Sequence, residues 1–233
     1  SRTVRTEPGA ITASKGQAKD DGHSTVAGDL SESSVVRVAV DYCFFQEGLT
    51  TKDTEHEELT RAKTSMTVLV MLETLCRSVR GYVVEPKGAS EEWVIEQIVE
   101  DLETVGIPGE RIIVKADQET SITDVQQGIL KARAVHGTAI EQSNVGTSNS
   151  NGRIERRSQD FKGLVMTPRS VLEERLGVHI HLTDPAVPWL ARHAAHTITS
   201  SRVREDGRTS YQLMKGRRSI AKPVPFCETV LFK

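Results

Sequence analysis

The order in which strand-like and helix-like segments follow each other is the feature that most constrains how this chain can fold. Three apolar segments rich in β-branched residues, at 35–45, 66–74 and 79–85, come before the first amphipathic helix pattern. Short apolar strands at 112–116 and 137–142 then alternate with helix patterns. Strands that alternate with helices form a sheet that the helices cover. The sequence therefore predicts an α/β fold, with a mixed five-stranded sheet flanked by helices.

The predicted helices span residues 91–105 and 122–134 between the strands, and residues 150–176 and 185–200 after them. In the first helix, Val94, Ile98 and Leu102 repeat at helical spacing. Pro168 predicts a break in the third helix, because proline lacks the backbone donor that a helix needs. The short segment at 75–78 predicts a tight turn, and hence antiparallel pairing of the strands on either side.

Three regions of the chain differ in composition. Residues 1–34 hold ten Ser/Thr and four Gly but no aromatic residue, and they show neither strand nor helix periodicity. Such a segment cannot bury enough apolar surface to offset its ordering entropy, so we expect a disordered tail or linker. A core is expected over residues 35–202 and a basic extension over residues 203–233. Residues 143–150, rich in Ser, Asn and Gly, are expected to form a mobile loop.

Composition excludes several classes of protein. Apolar residues make up 37% of the chain, but the longest strictly apolar run covers only residues 68–72. A membrane span needs roughly 18–20 such residues, so no membrane partner is expected. Three cysteines without a Cys-x-x-Cys pair argue against a disulfide framework and against a cysteine-rich zinc module. We therefore expect an intracellular, reducing location.

Charge is distributed unevenly, although the net charge is only −2. Residues 153–233 hold 15 Lys/Arg and 8 Asp/Glu, a net charge of +7, which leaves −9 for residues 1–152. A basic C-terminal part favours an anionic partner, although a solvated charged surface is an open alternative. The basic residues after the last long helix are Arg202, Arg204, Arg208, Lys215, Arg217, Arg218 and Lys222.

Three carboxylates stand out by their positions. Asp41 lies within the first apolar strand, Asp117 follows the fourth strand, and Glu155 falls in the first turns of the third helix. Burying an ionised carboxylate costs several kcal/mol unless the group is paired or bound to a metal. Carboxylate oxygens are also the ligands that Mg²⁺ and Mn²⁺ prefer. Because the chain has 32 acidic residues, the spacing by itself leaves a chance triplet open.

The sequence around these carboxylates resembles a known family. The segments KADQE at 115–119 and SNSNGRIER at 148–156 resemble the Asp-x35-Glu region of retroviral and copia-like retrotransposon integrases. VRGYVVEPK at 79–87 is similar to the third strand of that family, and DGRTSYQLMKG at 206–216 to the stretch that follows copia-type cores. Together these segments cover most of residues 35–232. The sequence departs from the family at Ser210, where proline is usual, and no His/Cys zinc module precedes Asp41.

The resemblance implies a ribonuclease H-like fold and DNA integration by metal-dependent strand transfer. It makes Asp41, Asp117 and Glu155 the catalytic residues and the ligands of two Mg²⁺ or Mn²⁺ ions. It implies that the chain contacts double-stranded DNA, both at the element ends and at the target. It also implies that the chain forms a homo-oligomer, is part of a retroelement polyprotein and acts in the nucleus. The residues expected to contact DNA are Arg153, Arg156, Arg157, Gln159 and Lys162.

An alternative function stays open beside the enzyme. Gln159 stands where many relatives have a basic residue, and the zinc module is missing, as in a decayed or co-opted core that only binds DNA. His179-x-His181 and His193-x-x-His196 have spacings found in metal sites, but no cysteine pair accompanies them. We expect these to be ordinary surface or core histidines. Trp93 and Trp189 are expected to anchor helices by packing.

Overall fold

A computed structural model of the chain describes residues 35–47, 65–85, 92–143, 148–220 and 224–228. The five strands form one mixed sheet in the order β3-β2-β1-β4-β5. β1 pairs antiparallel with β2, which pairs antiparallel with β3, while β4 lies parallel to both β1 and β5. The predicted α/β fold is thus confirmed. The strands are β1 (Val36–Gln46), β2 (Ser65–Glu73), β3 (Val79–Val84), β4 (Ile112–Ala116) and β5 (Thr138–Gln142).

Helices cover both faces of this sheet. α1 and α2 pack on one face, and α3 and α4 pack on the other. None of the described helices is long and apolar enough to cross a bilayer. The expected tail at 1–34 lies outside the described residues, as do residues 144–147 of the expected loop at 143–150. Residues 148–150 already belong to the long helix that follows, so the predicted loop extends too far. The helices are α1 (Glu92–Thr104), α2 (Thr120–Ala132), α3 (Ser148–Leu176), α4 (Val187–Ser201) and α5 (Ser210–Lys215).

Pro168 does not break α3, so the predicted break is wrong. The helix continues from Ser148 to Leu176 with the proline inside it. A proline in a helix interior costs about 3 kcal/mol. Val165 and Leu172 are buried on either side of Pro168 in the core cluster that α3 shares with the sheet and α4. Burying such side chains contributes about 1.5–3 kcal/mol each, which is enough to offset that cost.

The alternation of side chains along β1 divides the core into two layers. Val38, Val40 and Tyr42 face α1 and α2, whereas Ala39, Cys43 and Phe45 face α3 and α4. Successive side chains on a strand point to opposite faces of the sheet. Asp41 therefore shares the face that α3 covers.

A glycine brings α3 close to the sheet. Gly81 lies on β3, and a Cβ atom at this position would stand 2.7 Å from Cζ of Phe161 and 2.9 Å from its Cε2. Phe161 is fully buried on α3 and meets Phe45 edge-on, with ring centroids 6.3 Å apart. The missing side chain at residue 81 therefore sets how near α3, and Glu155 on it, can come to β1.

The two tryptophans do not anchor the core, contrary to expectation. Trp93 is 47% exposed and Trp189 is 62% exposed. Aliphatic residues of α1 and α4, such as Ile98 and Leu190, are fully buried instead. The ring of Trp189 contacts the Arg192 guanidinium, 5.8 Å from the ring centroid, at the surface of α4.

Candidate active site

Asp41 occupies the middle of β1, the central strand of the sheet, and its side chain is half-buried. Burial is the main cause that raises its pKa from 3.8 to about 6. The negative charges of Asp117 and Glu155 raise that pKa further, while hydrogen bonding from Tyr42 and Ser158 lowers it in part. Asp41 therefore lies in the negative field of two neighbouring carboxylates.

The register of two parallel strands places Asp117 beside Asp41. Ala39 of β1 is paired with Lys115 of β4, and the two aspartates come two residues further along their strands. Neighbouring strands of a sheet lie about 4.8 Å apart. Asp117 directly follows the last residue of β4 and is exposed, so its carboxylate stands at the edge where the sheet meets solvent.

Glu155 reaches the same place from α3. It is exposed, and Ile154 and Ser158 on either side of it are buried against the sheet. The charge of Glu155 acts on Asp41. The structure thus brings the three carboxylates together from β1, β4 and α3, although their oxygens do not all lie within 4.8 Å of one another. Carboxylate oxygens in this number are a fitting donor set for Mg²⁺ or Mn²⁺.

The predicted DNA-contacting residues fall on two sides of α3. Gln159 and Lys162 follow Glu155 by four and seven positions, and so share its side of the helix. The Lys162 ammonium lies 5.7 Å from the centroid of the Phe45 ring. Its positive charge lowers the pKa of Cys43, which burial raises to about 11. The side chain of Arg153 lies outside the described residues.

Arg156 and Arg157 line a different cavity, of about 600 Å³, which we call the arginine cleft. Burial lowers the pKa of Arg157, and the charges of Arg202, Arg77 and Arg204 lower it further. Asp160 offsets part of this charge, since its Oδ2 lies 3.5 Å from Nη1 of Arg157 and also pairs with Arg202. Two buried guanidinium nitrogens of Arg204 have no hydrogen-bond partner in the described part of the chain. The cleft therefore holds unsatisfied donors of Arg204 and a net positive charge, which suit a phosphate group. Its arginines are Arg77, Arg156, Arg157, Arg202 and Arg204.

Sequence patterns did not indicate Arg77 as part of this cleft. It lies in the turn between β2 and β3, more than 70 positions from α3, in a left-handed backbone conformation with φ of 59°. A carbonyl contact fixes that turn, because the Ser210 hydroxyl donates to the Arg77 oxygen at 3.0 Å. Only a positive φ at a residue other than glycine, which the sequence does not reveal, would have singled it out.

The sequence matches no protein-family model and no curated protein. In fold, the chain is similar to a chain of the simian T-cell lymphotropic virus intasome, with a TM-score of 0.55 and 16% identity. That match covers 84% of this chain and 59% of the intasome chain, so this chain spans less than two thirds of its length.

Two further similar structures are of the HTLV-2 integrase catalytic core domain in complex with magnesium. The trimeric form matches with a TM-score of 0.51 and 13% identity, over 76% of this chain and 95% of that domain. The dimeric form matches with a TM-score of 0.50 and 12% identity, over 77% and 94%. At these identities the likeness shows the fold, which is the ribonuclease H-like fold of retroviral integrase cores.

Proposed function

We propose that this chain is an integrase-type catalytic core that cuts and joins DNA by metal-dependent phosphoryl transfer. One observation carries the proposal: Asp41, Asp117 and Glu155 come from three separate elements, and the charges of the latter two act on Asp41. The fold supports it, because two of the similar solved structures are of an integrase catalytic core domain in complex with magnesium.

The three carboxylates would hold Mg²⁺ or Mn²⁺. Two such ions, when bound, supply activation of the attacking oxygen and stabilisation of the leaving oxygen in an in-line displacement. Asp41 and Asp117, side by side on neighbouring strands, would be shared or primary ligands, and Glu155 would complete the second site. Asp41 must be ionised to bind a cation, and with a pKa of about 6 it is ionised above that pH. A bound cation would lower this pKa, because it favours the charged carboxylate.

Double-stranded DNA is the proposed substrate, both as element end and as target. Lys162 lies on the same side of α3 as Glu155 and could contact the strand that is cut. The arginine cleft would bind phosphates of the backbone, a contact that is independent of base sequence. We also propose that the chain works as a homo-oligomer, derives from a copia-like retroelement polyprotein and acts on DNA in the nucleus.

A cleavage assay on a labelled duplex, run with Mg²⁺, with Mn²⁺ and with a chelator, tests the proposal. Glu155→Gln retains size but removes one negative charge from the site. We expect this variant, with metal present, to cut no more DNA than wild type cuts in the presence of the chelator. It should bind DNA at least as tightly as wild type does. Glu174→Gln is the matched control, because Glu174 is an exposed glutamate of the same helix, five turns away from Glu155. It should cut like wild type.

The non-catalytic alternative has its own support. Gln159 stands where many members of the resembled family have a basic residue, and the oxygens of the three acids do not all lie within 4.8 Å of one another. A chain that binds DNA but shows no metal-dependent cutting of any duplex would be a binding module. Cutting that survives in Glu155→Gln, Asp41→Asn and Asp117→Asn would instead contradict the assignment of these residues.

A further inference from the structure

A second cluster of metal-ligating side chains lies beyond the end of β1. Glu47 directly follows this strand, and His179 and His181 lie in the connection between α3 and α4. One ligand atom from each of the three residues lies within 4.8 Å of the other two, and no other such group occurs in the described residues. Glu47 is six residues from Asp41, roughly 20 Å along an extended strand, so the cluster is separate from the acidic site.

The separations of the ligand atoms suit one small cation. Nε2 of His179 lies 3.5 Å from Oε1 of Glu47, and Nδ1 of His181 lies 3.3 Å from Oε2 of Glu47. Nitrogen and oxygen ligands at about 2.0–2.2 Å from a tetrahedral Zn²⁺ are about 3.3–3.5 Å apart. These two distances involve different oxygens of Glu47, but one ligand atom from each residue lies within 4.8 Å of the other two, so a rearrangement of the exposed histidines would bring all three onto one ion.

The side chains around the cluster orient its ligands. Nδ1 of His179 lies 3.0 Å from Oε1 of Glu173, which suits a histidine that gives one ring proton to a carboxylate and presents its other nitrogen to a metal. Glu47 is held by the backbone N–H of Leu182 and by Nη2 of Arg169, which both donate to Oε1 at 2.9 Å. These two donors bind Oε1, and the other oxygen, Oε2, faces Nδ1 of His181.

Arg169 is the positive group that a cation would meet here. Its Nη2 lies 3.4 Å from Nε2 of His179, and its Nε donates to the Ile180 carbonyl at 2.7 Å. This guanidinium is buried and tied to the backbone, and Glu47 and Glu173 both pair with it. Two carboxylates against one guanidinium leave the cluster with a net charge of −1 when both histidines are neutral.

We propose that Glu47, His179 and His181 form a binding site for Zn²⁺ or a similar transition-metal dication. Imidazole nitrogens favour such ions over Mg²⁺, which prefers an all-oxygen shell. The side chains of His179 and His181 are 56% and 66% exposed, so an ion can enter from solvent and keep water as its fourth ligand. The bound ion would join the end of β1 to the connection between α3 and α4. Its effect is on stability rather than on the chemistry at Asp41.

Titration of the full chain with Zn²⁺ against a chromophoric chelator tests this site. In excess Mg²⁺, which competes for the acidic site, we expect one equivalent of Zn²⁺ to bind tightly to wild type, and that equivalent to be lost in His181→Ala. His196→Ala is the matched control, an exposed histidine on α4, and should bind like wild type. Glu155→Gln should also retain the equivalent, which separates this site from the acidic one.

Thermal unfolding gives a second readout. Free Zn²⁺ at a hundred times Kd should raise Tm of wild type and of His196→Ala by about 5–10 °C. The same Zn²⁺ should leave Tm of His181→Ala and Glu47→Gln unchanged. An absence of Zn²⁺ binding to folded wild type overturns the proposal, as does binding that persists in both His181→Ala and Glu47→Gln. Because His181 is exposed, its replacement should leave the circular dichroism spectrum intact.

Discussion

Replacing Gly81 with alanine should destabilise the fold by pushing α3 away from the sheet. The new methyl group would lie 2.7 Å from Cζ of Phe161 and 3.4 Å from Cγ1 of Val68, and both side chains are fully buried. Overpacking of this kind costs about 1–3 kcal/mol. For a domain of this size, each 1 kcal/mol lowers Tm by about 2–4 °C. We therefore expect Tm to fall by about 2–12 °C.

Thermal and urea unfolding of four variants would measure this cost. Gly163→Ala is the control, because a Cβ at this exposed position of α3 meets nothing within 4 Å. It should stabilise the helix by about 0.5–1 kcal/mol. Phe161→Leu removes the ring that the new methyl group would strike, so Gly81→Ala should cost less in that background. The coupling between residues 81 and 161 should be about 0.5–3 kcal/mol.

The same substitution links packing to the candidate active site. Glu155 lies six residues before Phe161 on the same rigid helix, so a shift of α3 moves this carboxylate relative to Asp41. A misplacement of about 1 Å can cost about 100-fold in rate. Gly81→Ala should therefore lose DNA cutting at temperatures at which it is still folded. A Tm equal to that of wild type, or an equal cost with Phe161 and with Leu at position 161, would refute the reasoning.

Two further predictions concern charge. The folded-state pKa of Asp41, about 6, lies above its ordinary value of 3.8, so ionised Asp41 destabilises the fold increasingly as pH rises from 4 to 6. Asp41→Asn should thus raise Tm at pH 8 without Mg²⁺, by the equivalent of about 1–2 kcal/mol after solvent screening. It should not raise Tm at pH 4, where Asp41 in the folded protein and the asparagine that replaces it are both neutral. A gain of the same size at pH 4 would contradict this cause. In DNA binding, Arg156→Gln should reduce the slope of log affinity against log salt by about 0.9, since Arg156 is expected to neutralise one phosphate. Arg175→Gln, at the far end of α3 and paired with Glu228, should leave that slope unchanged, and an equal effect of the two variants would argue against the arginine cleft as the DNA contact.

Local patterns in the sequence were enough to predict the elements of the fold. Apolar alternation and helical spacing depend on residues within one or two turns of each other, so the five strands and the four long helices could be read directly. The break predicted at Pro168 was wrong because the burial of Val165 and Leu172, which stabilises α3 there, depends on tertiary contacts. The prediction for Trp93 and Trp189 was wrong because their large apolar rings favour burial, whereas aliphatic side chains fill the core and both rings lie largely at the surface.

By itself, the sequence determined the α/β fold, since strand and helix periodicity was enough to place Asp41, Asp117 and Glu155 on their elements. The resemblance to integrases then singled out these three among the 32 acidic residues. Only the tertiary structure decided which side chains meet. The parallel register of β1 and β4 puts Asp117 beside Asp41, and the turn at Arg77 brings a fifth arginine to the cleft. Glu47 and His179 are 132 positions apart in the chain, yet they share one cluster. Contacts over such separations depend on how strands pair and helices cross, and no local periodicity encodes them.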